Sequence, residues 1–91
     1  MFRTRIQFRN TRHCTVPVWI EPWAKEFTLE QDEALQVECV ASEEGTLEVE
    51  FHDSNENDAI VVFGFPGSKM RAVRDGKVVW ECHEPLPPLP E

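Results

Sequence analysis

Cysteine and histidine occur in two adjacent pairs, His13-Cys14 and Cys82-His83, with Cys39 and His52 elsewhere in the chain. Thiolate and imidazole are the soft ligands of zinc and copper, and a thiol beside an imidazole is also a nucleophile with its base. Both pairs lie in stretches where apolar and polar residues alternate, and neighbouring residues of a strand point to opposite faces. That alternation sends Cys14, Cys39 and Cys82 inward and His52 and His83 outward. The favoured reading is buried cysteine acting as a small hydrophobe, with no metal. A Cys/His metal-binding domain stays open as an alternative, because three inward thiols could converge on one ion. No C-x-x-C or H-x-E spacing supports it.

Other chemistry is weaker still. Ser42, Ser54 and Ser68 fall in predicted turns, and none sits in a G-x-S-x-G elbow. Asp53 to Asp58 opens like a calcium loop but has Asp58 where a glycine is needed and Gly64 where a bidentate glutamate should be. The stretch from Gly64 to Lys69 imitates a phosphate loop without its spacing, and it leads into a strand instead of a helix. No nucleophile, base and orienting group come together, so the expectation is a protein that is not an enzyme and needs no cofactor.

The aromatic residues are more suggestive. Trp19 alternates away from Val16, Val18 and Ile20 and stands beside Glu21, with Trp23 just after Pro22. Phe63 and Phe65 share the second face of a segment whose first face already carries Ile60 and Val62. Two readings stand. The rings fill a core that is covered on both sides, or Trp19, Glu21, Trp23, Phe63 and Phe65 form a contact patch for a protein partner, a second copy of the chain or a sugar ring.

These residues are carried by short extended segments. Alternation marks residues 2–9, 14–21, 35–41 and 47–52; residues 59–65 are apolar on both faces, as in a central strand, and 27–29 is a short extended piece. Pro17 places its part of the second segment at a sheet edge or bulge. Pro66-Gly67 predicts a turn with glycine at positive φ, and Asp75-Gly76 predicts a type I′ hairpin between segments 69–74 and 77–83. No amphipathic helix is evident. Seven to eight short strands at this spacing predict an all-β chain, a small antiparallel β-sandwich or partly open barrel over residues 1–83. Pro85, Pro87, Pro88 and Pro90 predict an exposed proline-rich tail over 84–91, whose P-x-x-P spacing lacks the usual flanking positive charge.

The 91 residues suit one domain, and 41% hydrophobic content against 29% charged is that of a folded chain. The net charge is −8, unevenly placed. Residues 1–12 hold Arg3, Arg5, Arg9 and Arg12 and no acid, a local +4; the rest sets five cations against 17 acids, or −12. Such a field disfavours nucleic acid and anionic membranes as partners. The first residues show no apolar run of signal-peptide type, and three cysteines without paired spacing fit a reducing compartment, so the expected location is the cytoplasm.

Phe8-Arg9-Asn10-Thr11, then Val18-Trp19-Ile20-Glu21-Pro22-Trp23, Phe27-Thr28-Leu29 and the turn before Leu35 form a pattern that resembles a group of short uncharacterised bacterial proteins. The resemblance runs from about residue 6 to about residue 80. It implies several strands in this order and no activity. Glu30-Gln31-Asp32-Glu33 stands here where the pattern has Pro-Gly. The expectation is a cytoplasmic β-sandwich that acts by binding a protein partner or itself, with carbohydrate binding through its tryptophans as the alternative.

Overall fold

The computed structural model describes residues 1–53, 58–82 and 84–86, and the chain in it is all β. Its strands are β1 (Phe2–Arg9), β2 (Val16–Glu21), β3 (Lys25–Leu29), β4 (Ala34–Ala41), β5 (Glu48–His52), β6 (Ala59–Phe63), β7 (Ser68–Arg74) and β8 (Lys77–Glu81). They form two four-stranded sheets, ordered β1-β4-β7-β8 and β3-β2-β6-β5, as the expected small sandwich requires. Among the described residues no helix is long and apolar enough to cross a membrane.

Period-2 alternation turns one face of each sheet to the core. Phe8, Leu35, Val37, Cys39, Met70 and Ala72 come from the first sheet and Val18, Ile20, Leu29 and Val62 from the second. Strand pairing is antiparallel except between β2 and β6, which run parallel from Val18↔Ile60 to Glu21↔Phe63. That pair is parallel because the chain re-enters the second sheet with β5 at its edge, and β6 turns back from β5 to lie between it and β2. Pro17 precedes the first β6 partner, so β2 has one neighbour at that point and a missing N–H is tolerated.

The turns follow their chemistry. Phe65 accepts a backbone hydrogen bond from Ser68, and Gly67 between them takes φ of 84°. Asp75 and Gly76 both take positive φ, as a type I′ hairpin demands. Asp32 adopts φ of 66°, the conformation that the glycine of a Pro-Gly turn would supply without strain.

Asn10 organises the crossing from β1 to β2. It is buried, and its Nδ2 donates to the carbonyls of Cys14 at 2.7 Å and Leu29 at 2.9 Å. Its Oδ1 accepts from the Arg12 N–H at 2.9 Å, and its own N–H donates to Glu33. The side chain thereby ties the bend at residues 12–14 to the end of β3, and the backbone N–H adds a tie to Glu33 just before β4. The same clamp corrects the expected position of Cys14. The alternation before Val16 is broken by this bend, so Cys14 is exposed while Cys39 and Cys82 are buried.

Two further expectations shift. Phe51 has the core-facing parity of Val49 but is 72% exposed, near the end of the edge strand β5. The predicted tail does not leave the domain at residue 84: Leu86 exchanges backbone hydrogen bonds with Gly67 and Ser68. Residues 87–91, the centre of the 53–58 loop and His83 lie outside the described residues, with the readings that fall on them.

Candidate interaction surface

Registers define what stands on the outer face of the β3-β2-β6-β5 sheet. Trp19 lies between Glu26 of β3 and Val61 of β6, and Val61 is next to Glu50 of β5. One row further on, Phe63 lies between Glu21 of β2 and Glu48 of β5. Trp19, Val61 and Phe63 thus form a half-buried apolar stripe along the two central strands, edged by four carboxylates. No lysine or arginine points outward from these strands, and among the described residues no element covers the face. His52, at its margin, hydrogen-bonds Glu50 at 3.1 Å.

The outer face of the β1-β4-β7-β8 sheet has the opposite character. It carries Arg3, Arg5, Arg9, Lys69 and Arg71 against Glu38 and Glu81, a net +3. Glu38 is 6% exposed and receives both Nε and Nη2 of Arg71, with a closest approach of 2.9 Å, so this buried carboxylate is matched by a forked donor. Val40, Val73, Val78 and Val79 supply apolar area between the charges, and the last two are 50% and 47% exposed.

The expected patch is therefore divided. Trp19, Glu21 and Phe63 come together on one outer face. Trp23 and Phe65 do not join them, and both pack against the core. Trp23 follows the turn at Pro22 and folds back over the end of the sandwich, where its ring lies edge-on to Trp80 with centroids 6.0 Å apart at 66°. Phe65 escapes the alternation because β6 ends at Phe63. Its ring instead covers Gly45, so close that a Cβ on Gly45 would fall 2.3 Å from Phe65 Cδ2. Sequence reasoning missed Val61, Glu26, Glu48 and Glu50 as members of the face. Their alternation was visible, but only the strand register sets them around Trp19.

The cysteines do not assemble with one another as a trio. Cys82 Sγ accepts the Met70 N–H at 3.3 Å, and Met70 pairs with Cys39 across β4 and β7. Cys39 and Cys82 thus flank Met70, with Cys14 far along the chain in the exposed bend. Among the described residues no three metal-ligating side chains gather. Burial pushes the Cys39 thiol up; neighbouring Cys82 adds to the rise, and a Ser68 hydrogen bond works against it. The expected result with a water-soluble thiol reagent at neutral pH is rapid labelling of Cys14 alone, with Cys39 and Cys82 reacting only on unfolding. Peptide mapping of the labelled protein checks this, and rapid labelling of Cys39 would contradict the packing.

A cleft of about 330 Å³ opens at the end of the sandwich where Phe51 is bared, lined also by Val16, Ile60, Arg9 and the paired side chains of Arg12 and Asp58. Its charged groups neutralise each other. The outer face of the β3-β2-β6-β5 sheet is the surface with a distinct chemical character. Comparison with protein-family models, with curated proteins and with solved structures gives no match, so this face is read from its own geometry.

Proposed function

We propose that the chain is a protein-interaction module that uses the outer face of the β3-β2-β6-β5 sheet to bind a basic, partly apolar protein surface. The observation that carries this reading is the Trp19, Val61 and Phe63 stripe, set on central strands and edged by Glu21, Glu26, Glu48 and Glu50. Central strands that need only one buried face do not require such residues on the other. An aromatic centre inside a charged rim is the layout of a binding patch, where ring burial supplies affinity and the rim supplies selectivity and speed of encounter. Guanidinium groups suit Trp19 in particular, since they stack on the ring while bonding the neighbouring carboxylates. The face offers rings and carboxylates without a nucleophile, which favours binding over catalysis.

The test is a fluorescence titration with a synthetic peptide of alternating arginine and valine, against one of alternating glutamate and valine. Trp23 and Trp80 pack against the core, so Trp19 is the tryptophan placed to respond. The arginine peptide should give a saturable change that vanishes in Trp19→Ala and weakens in about 0.5 M salt, while the glutamate peptide gives none. An equal response in Trp19→Ala, or no response to either peptide, would defeat the proposal. Saturable quenching by a neutral oligosaccharide without any response to the arginine peptide would favour the carbohydrate-binding alternative.

A further inference from the structure

We infer that the partner of this face is a second copy of the chain, which lays the basic outer face of its β1-β4-β7-β8 sheet on the acidic, aromatic face of the first. The inference rests on the binding role proposed above and names its occupant. Its basis is a pair of matching rows. On the acidic face the register aligns Glu21, Phe63 and Glu48 across β2, β6 and β5. On the basic face it aligns Arg3, Val40 and Lys69 across β1, β4 and β7.

Each row spans two strand spacings, about 10 Å, so acid, apolar and acid stand over base, apolar and base at the same separation. The chain as a whole carries −8, which makes a +3 face a departure from the average of the molecule. Arg3 and Lys69 are both exposed, and the nearest carboxylate to Lys69, that of Glu81, is 3.8 Å away on the surface. The bared Val78 and Val79 at the β8 edge enlarge the apolar part of the basic face.

Area sets the strength. Two four-stranded faces of this size bury on the order of 1,000 Å² in total, at the lower limit of specific interfaces, so the contact is weak and reversible. Symmetry sets the form. The two faces differ, so each contact leaves one basic and one acidic face free, and copies add in an open stack instead of closing as a pair.

Sedimentation of the intact chain at low salt should show a weight-average mass that at least doubles on concentrating to about 1 mM, without a plateau at the dimer. In about 0.5 M NaCl it should return to the monomer, because screening removes the pairing between rims. Association driven only by apolar surface would instead strengthen with salt, and that result would overturn the inference. Two charge-reversed variants make the test specific: Arg3→Glu with Lys69→Glu disables the basic face, and Glu21→Lys with Glu48→Lys disables the acidic one. Each should be monomeric alone. Mixed, they should assemble again and grow beyond a pair, since the intact acidic face of one meets the intact basic face of the other and the two reversed rows also match in charge.

Self-association retained by either variant alone, or no assembly on mixing, would refute the stack. Unchanged thermal unfolding of each variant establishes that its fold is intact. A wild-type chain that is monomeric at about 1 mM while still binding the arginine peptide through Trp19 would refute the second copy as partner and leave the binding face standing. Loss of both would remove the binding role itself.

Discussion

Replacing Asn10 by alanine is expected to lower stability by about 3 kcal/mol, a large share of the roughly 5–15 kcal/mol typical of a small domain. The substitution removes three hydrogen bonds at once, to the carbonyls of Cys14 and Leu29 and from the N–H of Arg12. The Leu29 contact is buried, so water does not replace the lost donor there. Each of these groups is worth about 1 kcal/mol when its partner is deleted, and more where it stays dry. Asn10→Asp should be no better. It keeps the acceptor for Arg12 but aims a carboxylate at two carbonyl oxygens. Urea unfolding should show the midpoint falling with an unchanged slope, and the melting temperature dropping by roughly 10–20 °C. A loss under about 1 kcal/mol for Asn10→Ala would mean that the bend at residues 12–14 holds its shape without the clamp.

Asn10 also shows where the sequence stops being readable. Alternation located β1, β2, β4 and β5, because each buries one face and apolar residues recur at period two along it. The hairpin at Asp75-Gly76 and the turn at Pro66-Gly67 were legible for a different reason: their residues are selected by backbone conformation alone. Alternation says nothing of where a strand begins. Cys14 keeps the parity of Val16 and Val18, yet the Asn10 side chain bends the chain between them. Phe65 keeps the parity of Phe63, but the strand has ended and the ring turns onto Gly45. Phe51 keeps the parity of Val49 but is exposed near the end of an edge strand.

The charge layout was only half legible for a related reason. Sequence shows that Arg3 and Lys69 point outward from their strands, and that Glu21 and Glu48 do from theirs. It does not show which strands share a sheet. Arg3 and Lys69 meet on one face only because β4 lies between β1 and β7. The +4 of the first 12 residues and the −12 of the remainder are thus replaced by a more useful division, between a basic outer face on one sheet and an acidic outer face on the other.

That division assigns opposite roles to two tryptophans only four positions apart. Trp23→Ala is expected to cost about 3 kcal/mol, toward the lower end for a large ring because the residue is only partly buried. The ring fills the end of the core, touches Gly64 closely enough that a Cβ there would lie 3.0 Å away, and supports Trp80 edge to face, a pairing itself worth about 1 kcal/mol. Trp19→Ala, on the uncovered outer face, should cost under about 1 kcal/mol. Function should divide the other way. Below its lowered melting temperature, Trp23→Ala should bind the arginine peptide as the native chain does, because the row of Glu26, Trp19, Val61 and Glu50 is unchanged. Trp19→Ala should fold almost normally and not bind. Unfolding curves and titrations on the same two proteins check both halves. If Trp23→Ala lost binding while fully folded, the contact surface would include the end of the sandwich; if Trp19→Ala lost several kcal/mol, the face bearing Trp19 would have a covering partner within the chain and could not be the binding surface.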